Sequence, residues 1–233
     1  MIGDSHHGGS GRCVVLVGPA GAGKTTIAHR LIAAQPLMRA FSVSHTSRPM
    51  RAAERDGVDY WFVPRATFEA LIDADAFVEW ARVHDNLYGT TRAAIAHHLE
   101  AGRQVIFDID IEGAGNIARA FPDRTDLVFV TPPSWQVLVQ RLQARGSESD
   151  DRLRRRLRTA RAELEAVLRQ ADAGVPWAAV VNDDLNQAVA DVETLLRSPP
   201  GTQRMPAAAL TRLQSMRADG VADVRADPED PAR

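Results

Sequence analysis

The chain has 233 residues, of which 45% are hydrophobic and 25% charged, enough for one α/β domain that carries an inserted module on a sizeable core. Its net charge of −2 comes from well-mixed acids and bases, which excludes the single-sign footprint of a nucleic-acid or acidic-membrane binder and points to small-molecule partners. The lone cysteine, Cys13, excludes an intrachain disulfide, and neither a signal-peptide pattern nor a run of ~18 apolar residues occurs, so a soluble cytoplasmic protein is expected.

Residues 1–11, mostly Gly, Ser and His, are expected to form a disordered tail, with His6-His7 supplying too few ligands for a metal. Residues 13 to 18 form an apolar run that ends at glycine and suits a buried parallel strand. Ile27, Leu31 and Ile32 then recur at helical spacing. Between 41 and 91 the character changes. Tyr60-Trp61-Phe62-Val63 and Phe77-Val78-Glu79-Trp80-Ala81 interleave aromatic and polar residues, as strands with one wet face do, and the segment reads as a substrate-holding insertion.

The core, 12–40 and 92–197, continues with buried strands at 105–107, 127–130 and 180–181, the pattern of a mostly parallel sheet with helices on both faces. Ser134 predicts an N-cap for a helix whose buried positions are Trp135, Leu138, Val139 and Leu142. Seven arginines crowd 145–161. Ser147 with Asp150 resembles a capping box, and Leu153, Leu157, Ala160 and Leu164 mark the buried stripe of the next helix. Ser198-Pro-Pro-Gly breaks the last core helix. The remainder, 198–233, is expected to be largely disordered or a short helix through Leu210, Leu213 and Met216.

Gly18-Pro19-Ala20-Gly21-Ala22-Gly23-Lys24-Thr25 satisfies G-x-x-x-x-G-K-[ST] between a predicted strand and a predicted helix. Glycines let the backbone wrap phosphates with its N–H groups inward, and the helix N-terminus adds positive potential. Lys24 would reach the β- and γ-phosphates, Thr25 would ligate Mg²⁺, and Thr26 completes the ATP-binding stretch. Only one of the 28 basic residues is lysine, and it stands here, where a compact ammonium fits and a planar guanidinium does not.

From Cys13 to Arg197 the chain resembles the guanylate kinase family. The likeness is carried by Ser42 to Arg51 with Glu54, Asp56-Gly57 and Asp59-Tyr60; by Phe77 to Ala81 and Val83 to Thr90; and by Asp108 to Gly113. Arg141, Arg145-Gly146-Ser147 and Arg156 complete it, with Val181-Asn182-Asp183-Asp184-Leu185. The resemblance implies a P-loop kinase fold with a monophosphate-binding insertion and an arginine lid at about 145–161. It also implies transfer of a phosphoryl group from ATP to GMP, with Asn182 on the ATP side. Arg48, Arg51, Tyr60 and Tyr88 would hold the GMP phosphate, while Ser44, Glu79, Thr90 and Asp110 would face guanine. Departures from the family include Pro49 directly after Arg48, Leu87 for a common tyrosine and Asp85 for a common glycine.

The chemistry agrees independently. Guanine's pairing edge offers N1–H and N2–H donors beside an O6 acceptor, so carboxylates at Glu79 and Asp110 and hydroxyls at Ser44 and Thr90 form a matching set. Taken singly, Glu79 would serve equally on a solvated strand face, Tyr60 and Tyr88 as packing residues. Asp108 would act on Mg²⁺ or its waters, or support the site structurally. Arg141 and Arg145, four apart on one helix face, could act on the same triphosphate with Lys24 and Arg156. The partners expected are ATP and GMP, with neither nucleic acid nor membrane, for a monomer or homodimer. Two rivals remain at this level: a kinase of another nucleoside monophosphate or small phosphorylated acceptor, and a non-catalytic binding module of the same fold.

Overall fold

A computed structural model describes residues 11–83, 85–144 and 150–225. The chain runs β1 (Arg12–Val17), α1 (Lys24–Ala34), β2 (Arg39–Phe41), β3 (His45–Thr46), β4 (Trp61–Phe62), α2 (Arg65–Asp73), β5 (Phe77–Val83) and β6 (Asn86–Thr91). It continues with α3 (Arg92–Glu100), β7 (Gln104–Asp108), α4 (Ile111–Ala120), β8 (Thr125–Thr131), α5 (Trp135–Ala144), α6 (Asp150–Asp172), β9 (Trp177–Val181), α7 (Leu185–Leu195) and α8 (Ala207–Arg225).

Five strands form a fully parallel sheet in the order β2-β7-β1-β8-β9. Its central strands are apolar on both sides because both faces are covered: β1 is buried from Cys13 to Val17, and every residue of β8 is buried. One core joins Val15, Phe107, Phe129 and Trp177 to α3, α4, α5 and α6, and the other joins Val14, Leu16, Ile106 and Val128 to α1 and α7. With β1 in the middle, the loops after β1 and β7 leave the same carboxyl edge, the crevice where open α/β sheets bind ligands. The predicted N-cap of α5 is formed by Ser134, whose hydroxyl accepts from the Val137 N–H at 3.2 Å.

The segment between β2 and α3 builds its own four-stranded sheet, β4-β3-β6-β5, with α2 against it. Phe68, Phe77 and Leu87 form its small core, Phe68 and Phe77 stacking at 4.4 Å. Leu87 therefore does a packing job where a tyrosine is common, and Asp85 is exposed on the turn between β5 and β6.

The expected short helix near the C-terminus is in fact the 19-residue α8, and the segment from 198 to 225 is structured rather than largely disordered. Three contacts hold it: Leu213 and Met216 are buried in the main core, Arg212 donates to the Pro133 carbonyl, and Gly220 lies flat against the Trp135 ring. Packing on α5 and α6, not its own periodicity, makes this helix. The expected disordered tail lies outside the described residues but for Gly11.

Candidate active site

The loop from Gly18 to Gly23 connects β1 to α1 with left-handed backbone at Gly18 (φ 140°) and Gly23 (φ 91°). Neither tolerates a side chain, since an added Cβ would strike the Val130 carbonyl oxygen in the first case and the Asn182 amide in the second. That amide braces the loop from below by donating to the Ala22 carbonyl at 2.7 Å. Arg141 in turn donates to the Asn182 carbonyl at 2.9 Å, tying α5 to the same corner. The Lys24 ammonium donates to the Gly18 carbonyl at 2.6 Å and stands 3.7 Å from Asp108. Thr25 donates to Asp108 at 2.5 Å. So the loop's cation and hydroxyl and the end of β7 converge on one point.

A cavity of about 380 Å³ opens there, walled by Gly18, Ala20, Lys24, Asp108 and Asp110 below and by Arg152, Arg155, Arg156 and Glu163 of α6 above. Arg156 therefore lines the cavity above the loop; Arg145 lies outside the described residues. A second cavity, of about 660 Å³, shares Asp108 and Ile109 with the first and runs between the two sheets. Thr25 and His29 line its core side and Ser44, Glu54 and Tyr60 its insertion side.

From Ser44, on the insertion side of this cleft, polar side chains form a chain of bonds. Ser44 and Thr90 hydroxyls are 3.1 Å apart, and the buried Thr90 hydroxyl donates to Glu79 at 2.8 Å. Local structure explains the pairing: β5 and β6 are antiparallel, and a bulge after Phe77 brings Glu79 opposite Thr90. Burial pushes the Glu79 carboxyl above its ordinary range; the Thr90 bond opposes this and the charge of Asp110 adds to it. Asp110 also has a structural task, capping α4 by accepting from the Gly113 N–H at 2.8 Å.

The presumed phosphate holders separate into two groups. Arg48 lies 5.7 Å from the Tyr60 ring and is gripped by Glu54 at 2.7 Å, so the proline after it does not turn it away from Tyr60. Arg51 is tied only through its backbone, which donates to Glu54 at 2.8 Å, and is exposed. Glu54, which neutralises Arg48 here, had no role assigned from the sequence beyond its place in the motif. Glu163 was missed as well, hidden among the arginines of α6.

Fold and loop together define an α/β protein of the P-loop kinase class. The sequence pattern described as guanylate kinase matches residues 10–199, and the chain belongs to that family. It is similar to the guanylate kinase of Synechococcus sp., 45% identical over 185 residues that span 79% of this chain and 95% of the relative. It is also similar to that of Corynebacterium diphtheriae, 44% identical over 188 residues, 80% and 94% of the two chains. Among solved structures, a guanylate kinase from Anaplasma phagocytophilum superposes with a TM-score of 0.60 at 26% identity, covering 81% of this chain and 86% of that one.

Proposed function

We propose that the protein is a guanylate kinase that transfers the γ-phosphoryl group of ATP to GMP, and to dGMP, giving GDP or dGDP in purine nucleotide metabolism. The observation that carries this reading is the Ser44, Thr90 and Glu79 bonding chain, whose Ser44 lines a cleft that Thr25 and Asp108, the partners of the Lys24 loop, line as well. Guanine's N1–H and N2–H would donate to Glu79 and Asp110, and its O6 would accept from the hydroxyls. Adenine would turn its N1 acceptor to a carboxylate, leaving buried groups unpaired at about 1–3 kcal/mol each.

Arg48, Arg51, Tyr60 and Tyr88 hold the acceptor phosphate in this reading. Gly18 to Thr26 and Asn182 hold the triphosphate, and Lys24, Arg141, Arg145 and Arg156 neutralise charge on the transferring group. Such a transfer depends on alignment and charge stabilisation, and no general base is needed because the acceptor is already a phosphate dianion. Thr25 and Asp108 offer a hydroxyl and a carboxylate oxygen at one point, hard donors that suit Mg²⁺ held directly or through water. When bound, the ion would neutralise the β- and γ-phosphate oxygens. In this reading the protein works in the cytoplasm as a monomer or homodimer, with ATP and GMP as its partners and neither nucleic acid nor membrane among them.

Steady-state kinetics with ATP across GMP, dGMP, AMP, CMP and UMP test the reading. GMP is expected to lead AMP, CMP and UMP by at least about tenfold in kcat/KM; equal rates with AMP would refute base reading. A protein that binds no ATP would instead be a non-catalytic module, against which the intact Lys24 loop speaks.

The Glu79 carboxyl adds a pH dependence. It must be ionised to accept from guanine, and burial raises its pKa, so GMP binding is fully present above that raised value and lost as pH falls through it. KM for GMP is expected to rise more steeply on mild acidification in the wild type than in Glu79→Gln, where only titration of the substrate phosphate, at about pH 6, remains.

A further inference from the structure

Glu163 of α6 lines the phosphate cavity together with Lys24, Asp108 and Asp110. Its Oε2 atom is buried with no hydrogen-bond partner among the described residues. Burial raises its pKa; the Lys24 ammonium works against this, and the carboxylates of Asp110 and Asp108 add to it. A buried carboxylate oxygen left without a donor is costly, so a native protein that keeps one is expected to have a use for it.

The nature of the missing donor follows from what the two substrates bring. Phosphate groups bring acceptors only, and guanine's donors are matched by Glu79 and Asp110. On the acceptor nucleotide the remaining donors are the sugar hydroxyls. In-line transfer places the acceptor phosphate beside the phosphates at Lys24, while the base is read at Asp110. In a nucleotide the sugar joins base to phosphate, and Glu163 is the carboxylate that senses both Lys24 and Asp110.

We infer that Glu163 is a specificity residue that accepts a hydrogen bond from a ribose hydroxyl of the acceptor nucleotide. The inference rests on the proposed GMP-binding mode. It places a sugar reader on the arginine-bearing helix.

The test compares kcat/KM for GMP, 2′-deoxy-GMP and 3′-deoxy-GMP in the wild type, Glu163→Ala and Glu163→Gln, with thermal melts as a check on folding. In the wild type one deoxy analogue is expected to fall about tenfold below GMP, the loss typical of a hydrogen bond to a charged group, and which analogue falls names the hydroxyl. In Glu163→Ala that ratio collapses to near one, and Glu163→Gln, which keeps the shape and one neutral acceptor, falls between. A ratio that survives in both variants, or a wild type indifferent to both analogues, overturns the inference while leaving the GMP assignment standing. A wild type that does not turn over GMP overturns both.

Discussion

Lys24→Ala is expected to lower kcat by at least about a thousandfold, the scale seen when a cation aimed at a transferring phosphoryl group is removed. The geometry makes the loss specific. Lys24 is the first residue of α1, its ammonium folded back on the Gly18 carbonyl at 2.6 Å and near Asp108 at 3.7 Å, poised at the mouth of the loop rather than packed in the core. Alanine favours helices, so α1 should persist and the melting temperature should change little. Lys24→Arg should fail almost as badly, because a planar fork does not enter a cradle shaped by Gly18 and Gly23. Rapid-quench measurement of a single turnover separates the chemical step from binding, and a variant that keeps most of its turnover would contradict the assigned role.

Glu79→Gln is expected to reduce kcat/KM for GMP by about a hundredfold while leaving KM for ATP near its wild-type value. The carboxylate accepts from two directions in the proposed complex, and hydrogen bonds to a charged acceptor are worth about 1.5–3 kcal/mol each. Glutamine keeps the volume but can present an N–H where guanine also presents one, a repulsion added to the loss. The Thr90 hydroxyl, now donating to Glu79 at 2.8 Å, would still find the amide oxygen, so the fold should hold. Selectivity should fall with rate: the ratio of GMP to AMP turnover narrows in the variant. An unchanged ratio would remove Glu79 from the reading of the base.

Much of the site was legible in the sequence because its chemistry is local. The Lys24 loop is eight consecutive residues between an apolar run and a helical period, and each feature appears as read, including the Ser134 cap. Strands β7, β8 and β9 were legible as short apolar runs bounded by polar residues, since a strand covered on both faces has no other pattern. What escaped depends on distant partners. Strand β2 begins with Arg39, an unlikely start for a strand until its guanidinium is seen paired with Glu193 at 2.5 Å. Glu163 looks like one more charge on an arginine-rich helix, and only the packing of α6 over the loop turns it inward. Asn182 was named through the family likeness, but its grip on the Ala22 carbonyl spans 160 residues and leaves no trace in local spacing.

Helix α8 lies beyond residue 199, where the family pattern stops, yet Leu213 and Met216 are built into the main core. Cutting the chain at that boundary would therefore uncover the apolar flank of Trp135 and the adjoining surface of α6, the sort of sticky patch that drives clumping in solution. For this enzyme the minimal folded unit extends past the limits of the family pattern, and engineering that trims the C-terminus should leave α8 whole.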